Sequence, residues 1–549
     1  MVVTAGMATV FNLVSLTTFP RGYRTAIGVG ILLGTSFTLA QTSGSPPTVA
    51  VPSAELPAIG GSEILNRKEE VKFLPGVRST VTYSSNLSRT PGGSSGFVAE
   101  VAPYFEGSVD SDRTKAQVYA TLRTFFRTQG GASVTPDLRA SGQTALIGDW
   151  LWISGNASVY SLAPNPLSAV TFDPSAANAS SVQFRQLQLS PYIQGRVGTF
   201  ADYQARYSIG TSSTNADVVL AKLDQRFSGS LKSGPQFNRW GWETGGEIQR
   251  RTFDAIPTQS RNSAYGSAFL LPIPELRVGA SINFDQISNF SVNGKTSGTG
   301  LGLFADWTPS NRTSISASAK RLYYGTVGRV GMSHRFGFFT GALSFDRNVL
   351  TSSDASVLTV SPSALFAAGG FASNLNPVFN QLAAQNLVQT YSSLVGGGVL
   401  SDFVVLNNNL TASIAYASPV NSLVLLGVRS RRDTDATRAQ STFSFLSPNG
   451  PTTLSAVNLS AFNTNSLTLD WTHNLDSKNA FGIKVSRVNI ETNGPTIGLG
   501  KSAVNSIQST YRTKLTADTS AVFGLRHTSQ TGQVNFDETA LFGILDVRF

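Results

Sequence analysis

Basic side chains recur along this chain one residue away from apolar ones, and that spacing decides what chemistry they offer. Arg123, Arg127, Arg196, Arg206, Lys222, Arg226, Arg251, Arg277, Lys320 and Arg329 belong to the polar half of alternating runs. Asp224, Glu243, Glu247, Asp285 and Asp306 fall in the same half. If that half lines an enclosed space, two uses follow. Arginines and acids pair across neighbouring strands and stiffen the wall, or surplus positive charge attracts anions and acidic polymers. Catalysis finds little footing. His334, His473 and His527 lie on distant segments, and no motif sets a nucleophile beside any of them. Cysteine is absent, which excludes disulfides and thiolate metal sites. No phosphate-binding loop, metal-ligand spacing or cofactor box is present. The expectation is a protein that is not an enzyme and takes no cofactor or metal.

The elements that must position these residues are strands. Leu187, Leu189, Ile193 and Val197 share one face of a run whose other face holds Gln188, Ser190, Gln194 and Arg196. Tyr203, Ala205, Tyr207 and Ile209 oppose Gln204, Arg206 and Ser208. Leu276, Val278, Ala280, Ile282 and Phe284 oppose Arg277, Ser281, Asn283 and Asp285. A period of two with one oily face is a strand with one side out of water. A soluble antiparallel sheet alternates in the same way, so composition must help to choose. Charged residues make up 13% of the chain, against roughly 25% in ordinary soluble proteins. Apolar residues make up 41%, with no uninterrupted run of spanning length beyond the leader. Many short alternating strands with lipid on the oily side fit this better than a soluble core. A charge facing lipid near the midplane costs roughly 2–4 kcal/mol, which forces most of the basic residues inward.

From Val77 onward, strand-like runs of about 10–14 residues alternate with turn-rich breaks. Short breaks fall at 110–114, 147–150, 198–201, 232–238 and 272–275. Others fall at 308–312, 334–338, 417–421, 476–479 and 516–519. Longer or more variable breaks, among them 162–182, 350–405, 433–463 and 491–501, alternate with them. Tight turns at one rim and long loops at the other predict an all-β, transmembrane antiparallel β-barrel of about 22 strands, in a range of about 18–22. Trp150, Trp152, Trp240, Trp242, Trp307, Tyr323, Tyr324 and Trp471 cluster near strand ends, where interfacial girdles want rings. Within 350–405, Val378, Leu382, Leu387 and Leu394 have helical spacing, so the longest loop is expected to hold a helix.

The chain finishes on Leu541, Gly543, Leu545, Val547 and Phe549 in alternation with Phe542, Ile544, Asp546 and Arg548. A final aromatic with that alternation behind it resembles the terminal strand by which bacterial outer-membrane barrels are recognised for assembly. Leu541, Gly543, Leu545, Val547 and Phe549 are therefore the expected assembly signal, and the β-barrel assembly machinery an expected partner. At the other end, Arg21 and Arg24 precede an apolar run from Ala26 to Leu33, and small residues reach Ala40. That order predicts a secretory signal peptide over 1–40. Residues 41–76 read as a periplasmic linker with a short helix from Ser62, and 77–549 as the barrel. The expected location is the outer membrane of a Gram-negative bacterium, with its lipid as the surrounding partner. The net charge of +10 is scattered, with no basic run or nucleic-acid module, so nucleic acid is not an expected partner.

One stretch points to a family. Leu138-Arg139-Ala140-Ser141-Gly142-Gln143 leads to Asp149-Trp150-Leu151-Trp152. Leu189-Ser190-Pro191-Tyr192, Arg196, Phe200-Ala201-Asp202-Tyr203 and Arg206-Tyr207 follow. These residues are similar to outer-membrane β-barrel proteins associated with the PEP-CTERM/exosortase system, found beside exopolysaccharide biosynthesis genes. The resemblance implies a barrel connected with export of polysaccharide or related surface polymer. Periplasmic polysaccharide-export components are then expected partners, and the resemblance brings no catalytic residues; the basic inner wall makes an anionic polysaccharide the expected cargo. A general diffusion porin and a non-conducting barrel that displays loops for adhesion are the alternatives. A plugged, energy-coupled transporter also has about 22 strands, but 41–76 is too short for its plug.

Overall fold

A computed structural model describes residues 70–549 apart from 130, 163–181, 215–220, 254–257, 289–293, 351–404, 434–441, 448–449, 456–460, 494–499 and 533. The expected signal peptide, most of the linker, the Ser62 helix and the helix of the longest loop lie outside the described residues. The wall opens with β1 (Glu70–Ser84), β2 (Gly96–Asp110), β3 (Thr114–Arg127), β4 (Ala132–Ile147), β5 (Leu151–Leu162) and β6 (Val182–Val197). It continues through β7 (Ala201–Thr214), β8 (Ala221–Ser233), β9 (Trp240–Phe253), β10 (Gln259–Ile273), β11 (Leu276–Ile287) and β12 (Ser297–Ser310). Next come β13 (Thr313–Leu322), β14 (Gly325–Phe336), β15 (Phe339–Leu350), β16 (Val405–Ala417) and β17 (Asn421–Asp433). A separate hairpin, β18 (Thr442–Ser447) and β19 (Gly450–Ser455), interrupts the sequence. The wall ends with β20 (Ala461–Asn474), β21 (Asn479–Asn493), β22 (Lys501–Lys514), β23 (Thr519–Gly532) and β24 (Phe536–Arg548).

Every wall strand pairs antiparallel with its neighbours, giving one 22-stranded sheet. The sheet closes on itself where β24 pairs with β1, from Gly76 opposite Arg548 to Ser84 opposite Ala540. Over that span closure leaves no edge to recruit another strand. Each predicted short break falls between two wall strands, at the rim where β1 begins and β24 ends. Gly198 and Gly337 show why such turns are so short. Each has a φ of +55°, a left-handed conformation that a side chain resists. The wall takes in seven residues more than the expected 77–549. Glu70 to Leu74 pair with β2 alone, below the point where the end of the chain joins at Pro75 and Gly76. The ring of Phe73 lies 4.5 Å from that of Phe105, which gives this extension an apolar contact of its own.

The two faces of the wall differ as the alternation requires. Leu301 and Leu303 stand 72% and 70% exposed, while Gly302, Phe304 and Asp306 between and beyond them are buried. Val81, Leu187, Leu189, Ile282 and Leu541 lie exposed on the same outer face. A soluble protein does not leave so wide an apolar surface bare; a bilayer covers it. Trp240 and Trp307 join this outer face near the turn-bearing rim, where Phe237 packs on both Trp240 and Trp242, and Phe200 packs on Phe237 and Trp242. Inside, aromatic rings lie over cross-strand glycines. A Cβ at Gly279 would collide with the ring of Phe304, and one at Gly524 with the ring of Phe542. Such pairs cover backbone that would otherwise stay bare.

Candidate functional site

The inner wall is built from the polar half of each strand, and strand register decides which charges meet. Arg123 bridges Glu100 at two points, with Nη2 donating to Oε2 at 2.8 Å. Arg251, 1% exposed, faces Asp224 at 3.4 Å, and Arg226 lies 3.7 Å from Glu247. Arg277 reaches Glu243 at 3.6 Å on one side and Asp306 at 3.9 Å on the other, joining β9, β11 and β12. Its guanidinium also lies 3.9 Å from the centroid of Phe269. Arg196 pairs with Asp202 at 2.6 Å at the turn-bearing rim, where both are exposed. Arg127 donates to Ser133 at 2.8 Å and lies over the ring of Phe125. Lys320 is within electrostatic reach of Arg261 and Asp285. Arg329, exposed on the inner face, has Asp346 as its Cα partner across β14 and β15. Lys222 lies on β8, and its side chain is outside the described residues. Most of the expected inward cations thus have an acid or a ring beside them.

Sequence reasoning passed over several pairs of the same kind. Arg261 and Asp285 meet at 3.0 Å, almost wholly buried, and Tyr324 donates to the same carboxylate at 2.6 Å. Arg78 and Tyr104 both donate to Asp546 across the closing seam, at 2.9 and 2.7 Å. The loop 85–95 tucks into the mouth of the barrel opposite the turn-bearing rim. Its Leu87 packs on Val98 and Phe125, and its Arg89 donates to Glu538 at 2.8 Å. These partners lie far apart in sequence, and no local pattern marks them.

Near the turn-bearing rim, β4 to β7 build a different arrangement. Trp152 and Tyr192 are cross-strand partners with nearly parallel rings, 6.2 Å apart and 14° between planes. Tyr192 is in turn the partner of Arg206, whose guanidinium lies 4.1 Å from the tyrosine ring centroid. Arg206 also donates to Ser154 Oγ at 3.0 Å, and Tyr192 donates to Gln143 at 3.0 Å. Trp152 donates its indole N–H to the carbonyl of Asp149 at 2.8 Å. The result is a step of two flat rings and a fixed cation on the inner wall. The girdle expectation for Trp152 is therefore corrected. It shares the face of Ser154 and Tyr192, whereas Trp150, 47% exposed, lies in the turn before β5. The signal was available, since Tyr192 alternates with Ser190 and Gln194 on the polar side of β6. Leu541, Leu545 and Phe549 of the terminal strand are exposed on the outer face, and Gly543 and Val547 share their parity.

A closed antiparallel wall, apolar outside and polar within, crosses a bilayer with every backbone group paired. This is a transmembrane β-barrel protein. No family model matches the chain, and no curated protein does. Among solved structures it is similar to the siderophore receptor PirA of Acinetobacter baumannii, at 10% identity and a TM-score of 0.49. That match covers 88% of this chain and 81% of the receptor. The FrpB iron transporter of Neisseria meningitidis matches at 11% identity and a TM-score of 0.46, over 87% of this chain and 81% of that one. OprD of Pseudomonas aeruginosa matches at 9% identity and a TM-score of 0.30, over 87% and 95%.

Proposed function

We propose that the barrel is a pore for an anionic polysaccharide or related surface polymer, moving from the periplasm outward. The step of Trp152, Tyr192 and Arg206 carries this reading. The half-buried Trp152 ring offers a face on which a sugar ring can stack, the buried Tyr192 ring holds it in line with Arg206, and that guanidinium offers a fork for a carboxylate or sulfate. The step lies near the turn-bearing rim, where β1 begins and β24 ends, the side from which a periplasmic polymer would enter. Elsewhere, inward cations matched by acids give a polar wall without deep anion traps, which suits many weak contacts and release. The residues of the step fall within the stretch that resembles barrels of exopolysaccharide loci. Periplasmic export components would deliver the polymer.

Planar-bilayer conductance of the folded protein tests this, with an acidic polysaccharide added from the turn-bearing side. Block by that polymer is expected. Trp152→Ala and Arg206→Gln should each raise the blocking concentration about tenfold, equivalent to ~1.4 kcal/mol, without changing the open conductance. A steady conductance indifferent to the polymer would instead make the barrel a general diffusion porin. A sealed bilayer would leave display of loops.

A further inference from the structure

The outer face breaks its own rule in one sector. Among the described residues, outward-facing charges occur only toward the rim opposite the tight turns, and five cations gather over β15 to β22. Cross-strand register places Arg347, Asn408, Arg431, Asn463, Glu491 and Lys501 in one continuous row. Two residues deeper, Arg429, Asn465 and Asn489 form a second row. Deeper again, Arg487 faces Asn505. Arg429, Arg431, Arg487 and Lys501 are exposed. Their face is the lipid-facing one, since Arg429 alternates with buried Val428 and Ser430, and Arg487 with buried Ser486 and Val488.

Depth makes the contrast with the rest of the wall plain. Four residues in from the loop end of β12 stands Leu301, bare and apolar. At the same depth β21 has Asn489, and two residues deeper it has Arg487. A guanidinium among lipid tails is strongly disfavoured unless an anion accompanies it. The one acid of the upper row, Glu491, is already taken by Lys501 at 2.9 Å. By register this sector of the outer face holds five cations and two acids, Glu491 and Asp433, which leaves a surplus of positive charge toward the outer leaflet. A second copy of this chain docked by the same face would set like charges together.

We infer that this sector is a binding site for a phosphorylated glycolipid of the outer leaflet. Arginine forks match phosphate oxygens at two points. The asparagines between them carry both donors and acceptors, which suits sugar hydroxyls and amides. The headgroup would lie against the wall, lower than around the rest of the barrel.

The test uses the whole protein in nanodiscs, titrated with a bisphosphorylated lipid A and with the same lipid dephosphorylated, and read by native mass spectrometry. Selective retention of the bisphosphorylated form is expected. In the variant R429Q/R431Q/R487Q its affinity should fall about tenfold or more, to the level of the dephosphorylated lipid. Inorganic phosphate at millimolar concentration should not displace it, which separates a lipid site from a simple anion site. Folding of the variant is checked by heat-modifiable migration; if it fails to fold, the two lipids on the native protein still decide. Equal binding of both lipids overturns the proposal. So does a native dimer that the variant dissociates, which would make the sector a protein interface.

Discussion

Glu538 takes three donors at once. Ser84 and Arg89 reach it at 2.8 Å, and Arg526 at 3.2 Å, with both Arg89 and Glu538 3% exposed. Arg89 has a φ of +50°, a conformation that costs a non-glycine residue about 1–2 kcal/mol, so the ion pair must hold the loop against it. Glu538→Gln leaves two guanidinium groups beside a neutral amide. Removing one partner of a buried pair typically costs about 3–5 kcal/mol. The urea midpoint of unfolding should drop accordingly, and trypsin should begin to cut after Arg89 in the folded barrel. An unchanged midpoint with Arg89 still protected would show that Leu87 and the hydrogen bonds of Ser85 and Asn86 to β24 hold the loop without the ion pair. The polarity of Ser84, Arg526 and Glu538 was legible in the sequence, since each sits in the half of its strand opposite the apolar set. Their partners were not. Arg277 meets acids on β9 and β12, and those choices depend on register and on the diagonal reach of a long side chain. Arg429 and Arg487 were legible as exceptions, because they share parity with Leu425 and Val485. The expectation that cations turn inward hid them.

Strands and turns were the most readable level. Alternation gave the faces, and Gly-rich or Asp-rich breaks gave the turns at one rim, because a tight antiparallel turn permits few residue types. The opposite rim was less readable, since loop length there is not tied to strand pairing. The start of β1 was missed for a related reason. Val71, Phe73 and Pro75 alternate with Lys72 and Leu74 too weakly to mark a strand, and pairing with β2 supplies what the local pattern lacks. Packing between strands adds the ring-over-glycine pairs. Gly524→Val would drive the ring of Phe542 off its seat on the neighbouring strand. Overpacking of this kind costs about 1–3 kcal/mol. Urea unfolding should shift by that amount, whereas Gly266→Ala, with nothing near its Cβ, should shift little. Equal shifts would mean that backbone propensity, not the ring, sets the cost.

At the scale of the molecule, the wall depends on one seam. Arg78 and Asp546 join across it although 468 residues separate them in the chain. Phe549 donates its backbone N–H to the carbonyl of Pro75 at 2.9 Å, and its ring lies bare on the outer face, 74% exposed. An exposed ring adds little to the stability of the closed wall. Phe549→Ala should therefore refold from urea into detergent almost as well as the native protein. Its yield in the outer membrane of living cells should fall several-fold if the terminal strand is an assembly signal. Equal losses in both settings would tie Phe549 to stability instead.

The same seam governs the chain's life before it reaches the membrane. Until β24 arrives, β1 has only one neighbour, and a partly emerged chain carries unsatisfied strand edges that invite aggregation. Contacts so distant in sequence also form slowly. The protein must therefore be escorted in an unpaired state for as long as its last strand takes to appear. A chain that lost β24 would then be a substrate for proteolysis, because no other strand among the described residues pairs with both β1 and β23 to finish the ring.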